Sequence, residues 1–151
     1  MNILVIGSGA REHAIVRAIE RSTKNKKIYC IGSNVNPGIA ELCADLTVAN
    51  INDTQTITGY AEKRATDLAI IGPENPLANG VADALWDIGV KVVGPRKDLA
   101  QIETSKAFAR DLLTEYNIPA GPKYKTFLSL GGVTEDGTRL NSSHTSISSA
   151  V

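Results

Sequence analysis

The stretch that most constrains the fold is the first thirteen residues, Met1-Asn-Ile-Leu-Val-Ile-Gly-Ser-Gly-Ala-Arg-Glu-His13. Asn2 to Ile6 is a short apolar run rich in β-branched residues, the pattern of a strand buried on both faces. Gly7-Ser8-Gly9 then forces a tight turn. From Arg11 onward Ala14, Ile15, Ala18 and Ile19 recur at helical spacing. A strand that ends in a glycine turn and opens a helix leaves backbone N–H groups unpaired at the helix start, with the positive end of the dipole behind them. Such a terminus is a seat for phosphate, so the first expectation is a chain that handles a phosphorylated small molecule.

The glycine turn departs from the dinucleotide pattern G-x-G-x-x-G, because Glu12 stands where a third glycine would allow close helix–strand packing. The second strand, Lys27 to Ile31, runs into Gly32-Ser33-Asn34, with no acid to hold an adenosine ribose. Both departures argue against a nicotinamide cofactor. The plainer alternative is that Gly7 and Gly9 serve only a tight strand-to-helix turn.

The remaining strands follow at regular intervals. Leu46 to Val48, Asp67 to Ile71 and Val90 to Val93 are each short apolar runs, separated by helical patterns over about 11–21, 53–64 and 77–88. Val81, Ala82, Leu85 and Trp86 are expected on the buried side of the last of these. Five strands alternating with helices specify an α/β fold, a doubly wound five-stranded parallel sheet with helices on both faces, ending near residue 95. Between the fourth strand and its helix lies Gly72-Pro-Glu-Asn-Pro-Leu77, in which two prolines stiffen the connection. Glu74 and Asn75 are thereby expected at the carboxyl end of a central strand, where open α/β sheets bind ligands. The alternative is a rigid connection whose polar residues face water.

Residues 96–127 read as one long helix, or two abutting ones recapped at Thr104 or Ser105, followed by a linker. Leu99, Ile102, Ala107, Phe108, Leu112 and Leu113 supply an apolar side, and Ile118-Pro119 discourages its continuation. From about residue 128 the chain is rich in serine, glycine and threonine, too poor in large apolar side chains to offset its ordering entropy. Residues 128–151 are therefore expected to be disordered.

Composition closes off several classes. Sixteen basic and sixteen acidic residues leave a formal charge of +0, so nothing suggests nucleic acid or an anionic membrane as partner. No apolar stretch is long enough to span a bilayer, and a core strand at the amino terminus leaves no room for a signal peptide, so a cytoplasmic location is expected. Cys30 and Cys43 are too few and wrongly spaced for zinc and are expected as buried thiols; His144 is no metal ligand.

Taken together the motifs carry a family likeness. Gly7-Ser-Gly-Ala-Arg-Glu-His-Ala14 resembles the glycine-rich turn of glycinamide ribonucleotide synthetases (phosphoribosylamine–glycine ligases). Gly72-Pro-Glu-Asn-Pro-Leu77, Gly94-Pro95 and Glu103-Thr-Ser-Lys-Ala-Phe108 resemble that family's later signatures in the same order, and the likeness extends over about residues 1–127. Ala10 departs from the glycine common there. The resemblance implies the Rossmann-like amino-terminal domain that precedes an ATP-grasp fold, in a ligase of purine biosynthesis. That enzyme joins glycine to 5-phosphoribosylamine at the expense of ATP, with Mg or Mn neutralising the transferring phosphoryl group. By motif position Gly7, Ser8, Gly9, Arg11, Glu12 and His13 would line the phosphosugar side, with Gly72, Pro73, Glu74 and Pro76 opposite; Lys106 would reach the ATP phosphates. Arg11 and Glu12 forming an internal ion pair is the competing reading.

The family's following glycine-rich flap and acidic metal ligands find no counterpart in residues 128–151. The chain is therefore expected to be an amino-terminal fragment, inactive as a ligase by itself and binding no cofactor tightly. Whether a face exposed by missing domains drives self-association is left open. Two rival readings are a small dinucleotide- or phosphosugar-binding module and a non-catalytic regulator that kept the sugar pocket.

Overall fold

A computed structural model of the chain describes residues 1–120 in full and, for their backbone, 125–127 and 145–147. The chain divides into two compact units, Met1–Ala100 and Gln101–Val151.

The first unit is built on β1 (Asn2–Ile6), whose alternating side chains feed two separate cores. Leu4 and Ile6 point to one face and Val5 to the other, and all three are fully buried. β2 (Lys27–Gly32) pairs with β1 in parallel, Ile3 opposite Ile28 and Ile6 opposite Ile31. On the other side β4 (Leu68–Ile71) pairs in parallel, with Ile6 opposite Ile71. β3 (Asp45–Val48) and β5 (Lys91–Val93) form the edges, giving the order β3-β2-β1-β4-β5, all parallel. This is the expected five-stranded doubly wound sheet.

Helices cover both faces. α1 (Ala10–Glu20) and α2 (Pro37–Ala40) pack Val16 and Ile39 against Val5, Ile28 and Cys30. α3 (Thr54–Lys63) brings Ile57 and Ala61 to the opposite core, with Asp53 accepting the Thr56 amide as its N-cap at 3.1 Å. Burying such aliphatic side chains contributes about 1.5–3 kcal/mol each, which is why strand alternation decides the layers.

The single helix expected over 77–88 is instead two. α4 (Glu74–Ala78) ends at Asn79, and Gly80 takes a left-handed φ of +81° before α5 (Val81–Asp87) begins. A glycine adopts that conformation at little cost, so the chain turns there. Val81, Ala82 and Leu85 are buried as expected, whereas Trp86 is 39% exposed. The Pro73–Leu77 stretch is also more helical than a loop. Pro73 caps α4, and Pro76 sits in its first turn, where a missing N–H leaves no bond unmade.

α6 (Lys97–Thr104) follows β5, and the division between units falls inside it. Ala100 belongs to the first core at 2% exposure, while Leu99 is 58% exposed. In the second unit α7 (Lys106–Glu115) starts after Ser105, whose hydroxyl accepts the Phe108 amide at 3.3 Å. The break expected near Thr104 or Ser105 is thus present. α7 ends before Asn117, which takes a φ of +52°. A short parallel pair, β6 (Lys125–Phe127) with β7 (Thr145–Ile147), completes the description. Apart from β7, the 128–151 segment read as a tail lies outside the described residues, as does His144.

Candidate functional site

The sheet order places the reversal of winding between β1 and β4, since the connection from β1 leads outward to β2 and that from β4 to β5. In open α/β sheets the loops diverge at such a point and leave a crevice at the carboxyl ends of the strands. Here a cleft of about 450 Å³ opens at that end. Ser8 and Gly9 come from the β1–α1 turn, Ser33 and Asn34 follow β2, Asn50 to Asn52 follow β3, and Pro73 and Asn75 follow β4; Glu12 also lines it. The lining carries serine hydroxyls and asparagine amides beside Ile51 and Pro73, with one carboxylate and, among the described residues, no cationic side chain.

Glu12 is the only buried charged side chain among the described residues, at 4% exposure. One turn into α1, its Oε2 reaches back to accept the Gly9 N–H at 2.6 Å, stabilised there by the helix dipole. The carboxylate fits because its neighbours lack side chains. A Cβ on Gly72 would lie 1.9 Å from Oε1, one on Gly7 2.7 Å from Cγ, and one on Gly9 2.9 Å from Oε2. Glu12 is therefore a wedge between the loops after β1 and β4. It forms no ion pair with Arg11, whose guanidinium instead donates to the Gly72 carbonyl at 2.5 Å, a second tie between the same two loops.

The amides of Ala10, Arg11 and Glu12 have no backbone acceptor among the described residues, and α1 closes its first turn with His13 N–H to Gly9 O at 3.0 Å. Ser8 donates its hydroxyl to Asn34 Oδ1 at 2.6 Å and packs its Cβ where one on Gly32 would be, 2.6 Å away. Asn36 donates to Ser8 O at 3.0 Å while its own Oδ1 accepts the Gly38 and Ile39 amides that start α2. The His13 ring lies against Gly38, where a Cβ would meet Cε1 at 2.5 Å.

Of the residues singled out from sequence, Ser8, Gly9, Glu12, Pro73 and Asn75 line the cleft. Gly7 (φ +118°) and Gly72 form the slot for Glu12; Arg11 bonds across to Gly72; His13 packs on Gly38; Pro76 is buried in α4; and Glu74 is exposed at its first turn. Lys106 opens α7 in the second unit and is exposed. Ser33, Asn34, Asn50, Ile51 and Asn52 were missed as lining. The β1–β2–β3 spacing could have found them, because every loop at the carboxyl edge of a parallel sheet converges on one end.

Away from the cleft, Asp45 accepts from Tyr60 Oη and Arg64 Nη2, both at 2.6 Å, and Arg64 lies 5.4 Å from both the Tyr29 and Tyr60 rings. The Tyr60 hydroxyl bond, with the guanidinium beside it, holds the Asp45 carboxyl below the usual range. Burial raises Tyr60 to about 12, and raises the thiols of Cys30 and Cys43 to about 12 and about 11.

Comparison with known proteins bears on what this cleft is. The family described as phosphoribosylglycinamide synthetase, N domain, matches residues 1–103. The chain belongs to that family. Among curated relatives, a phosphoribosylamine–glycine ligase of Methanococcoides burtonii is 44% identical over 135 residues, covering 89% of this chain and 31% of its own length. The ligase of Methanocella arvoryzae is 48% identical over 127 residues, 84% of this chain and 29% of its own. The chain thus spans about 30% of the length of the relatives it matches. Among solved structures, phosphoribosylglycinamide synthetase from Anaerococcus prevotii superposes with a TM-score of 0.65 at 12% identity, over 92% of this chain and 35% of that one. An ADP complex of N5-carboxyaminoimidazole ribonucleotide synthetase gives 0.68 at 18%, over 89% and 33%. At such low identity these two establish the shared fold alone. Family membership makes the glycine turn and the Gly72–Leu77 segment parts of an amino-terminal domain, and no helix among the described residues is long and apolar enough to cross a membrane.

Proposed function

We propose that this chain is the substrate-side portion of a phosphoribosylamine–glycine ligase of purine biosynthesis, and that its cleft takes the phosphoribosyl part of the substrate. The observation that carries the reading is the cleft itself: hydroxyl and amide side chains for a sugar, beside the open amides of Ala10 and Arg11 at the start of an eleven-residue helix for an anionic group. The whole enzyme joins glycine to 5-phosphoribosylamine with cleavage of ATP, and an acyl phosphate of glycine is the species the amine attacks. In that enzyme Lys106 reaches toward the ATP phosphates, and Mg or Mn offsets the charge on the transferring group.

Among the described residues no group of three or more His, Cys, Asp or Glu side chains is placed to hold a metal. The part played by this chain is to bind and orient the sugar, in the cytoplasm. Thermal unfolding with ribose 5-phosphate, glycinamide ribonucleotide or NAD tests the reading. At a hundredfold excess over the dissociation constant a ligand adds about 2.7 kcal/mol, readily seen as a raised melting temperature. Stabilisation by the two phosphosugars and not by NAD is expected; stabilisation by NAD alone overturns it in favour of a dinucleotide module.

A further inference from the structure

We propose that Glu12, besides wedging the two loops, is the acceptor in the cleft for a hydroxyl group of the ligand's sugar ring, through its second carboxylate oxygen. This rests on the reading of the cleft as a phosphosugar site and adds to it which group on the sugar is read, and by what.

Two independent observations meet at this oxygen. Glu12 is more than nine-tenths buried, yet only Oε2 has a partner, the Gly9 amide; Oε1 receives no donor among the described residues. A carboxylate oxygen with no protein donor, on a residue that lines the cleft, is open to a donor from a ligand. The second observation is the composition of the cleft, which Glu12 lines: Ser8, Asn34, Asn50, Asn52 and Asn75 bring neutral donors and acceptors, and no lysine or arginine lines it among the described residues. A neutral floor around one carboxylate suits a polyol, since each hydroxyl both donates and accepts. The same carboxylate repels an anion brought close to it. A phosphoester on the Ala10 and Arg11 amides, next in sequence to the lining residue Gly9, and a ring hydroxyl on Oε1 divide the two chemistries between neighbouring places.

The two roles predict opposite signs. If Glu12 only wedges the loops, removing its charge relieves repulsion and phosphosugar binding tightens or stays the same. If Oε1 accepts a hydroxyl, the same change weakens binding. Glu12→Gln is the suitable variant, because the carboxamide oxygen still accepts the Gly9 amide while a neutral NH₂ replaces Oε1. The full chain, wild type and Glu12→Gln, is titrated with ribose 5-phosphate and with inorganic phosphate by calorimetry. The expected result is a loss of about tenfold or more for ribose 5-phosphate, as a charge-assisted bond is exchanged for a neutral one, with phosphate unchanged or tighter. Ribose 5-phosphate binding unchanged or tighter in the variant overturns the hydroxyl role and leaves the phosphosugar reading standing.

A second comparison needs no variant, should Glu12→Gln fold poorly. Tetrahydrofurfuryl phosphate keeps the ring and phosphoester but carries no ring hydroxyls, and its binding to the wild type is expected to be weaker by about tenfold or more. Equal binding of the two compounds overturns the proposal. If ribose 5-phosphate does not bind the wild type at all, the reading of the cleft falls and the hydroxyl role falls with it.

Discussion

Replacing Gly72 by alanine tests whether Glu12 is a wedge held by missing side chains. The added Cβ would lie 1.9 Å from Glu12 Oε1, 2.6 Å from Cδ and 2.7 Å from Cγ, so all three nearest contacts belong to one residue. The backbone at Gly72 has no positive φ, so the substitution carries no conformational penalty of its own. The clash can be relieved in two ways. Glu12 leaves its slot, which strips the Gly9 amide of a charge-assisted bond at about 1.5–3 kcal/mol. Otherwise the loops after β1 and β4 spread, at the overpacking cost of about 1–3 kcal/mol.

The protein takes the cheaper route, so the expected loss for Gly72→Ala is about 1–3 kcal/mol. For a unit of this size that corresponds to about 4–8 °C per kcal/mol in melting temperature. Trp86 is the only tryptophan and lies in α5 of the first unit, so its fluorescence reports urea unfolding of that unit. In a Glu12→Ala background the clashing atoms are gone. There Gly72→Ala should be nearly neutral, or stabilising by about 0.4–1 kcal/mol through the less flexible unfolded chain. A coupling of about 1 kcal/mol or more between the two sites follows. An equal loss in both backgrounds would refute the wedge and assign the intolerance at position 72 to the backbone.

Three further outcomes are expected. Because hydrogen bonding and Arg64 depress the Asp45 carboxyl in the folded state, its contribution is present above the unfolded aspartate value of about 3.9 and is lost as pH falls below it. Asp45→Asn should therefore reduce stability at pH 7 and flatten the acid limb below about pH 4, read by urea midpoints as the pH is lowered; a parallel limb in the variant would contradict this. The Cys30 thiol, pushed up to about 12 chiefly by burial, should resist alkylation by iodoacetamide at pH 8 in the native chain and react promptly in urea; rapid native labelling at Cys30 would show the core cluster to be open. Gly80→Ala places a side chain at φ +81° with Lys97 Cδ as its nearest neighbour at 3.7 Å, so strain rather than collision sets a loss of about 1 kcal/mol; an unchanged melting temperature would mean that the α4–α5 turn relaxes freely.

The sheet was legible because buried parallel strands announce themselves as short β-branched runs, and β1 to β5 each carry one. The α4–α5 division was not, because Val81, Ala82 and Leu85 keep helical spacing and only the dihedral at Gly80 interrupts it. The glycine turn was found at the right place, but the work of Glu12 was not. Its slot is closed by Gly72, sixty residues later, and no local pattern records that the two are neighbours. The part of Asn34 and Asn36 in holding Ser8 was hidden for the same reason: it exists only after β2 pairs with β1. The Asp45–Tyr60–Arg64 cluster likewise joins β3 to α3 and its C-cap through hydrogen bonds between residues that no local pattern marks as neighbours.

The substitution that breaks the dinucleotide pattern is informative once its partner is known. In that pattern a third small residue lets the helix approach the strand. Here the bulk of Glu12 stands at that position, and the missing volume is supplied by Gly72 on the neighbouring strand's loop. The small residue has in effect moved to the other side of the crevice. Two consequences follow from the charge that came with the bulk. The α1 dipole is already partly answered by an internal carboxylate, an interaction of about 0.3–1 kcal/mol that an incoming anion no longer has to itself. A pyrophosphate would in addition face that carboxylate across a cleft that offers no cation among the described residues, whereas a sugar bearing a single phosphoester can turn its hydroxyls toward Glu12 and its charge away. On the proposed reading of the cleft, the same residue that spoils the loop for a dinucleotide suits it to a monophosphorylated ribose, and exchange of Glu12 for glycine should loosen the sugar without creating affinity for NAD, because β2 still ends at Gly32-Ser33-Asn34 with no acid for the adenosine ribose.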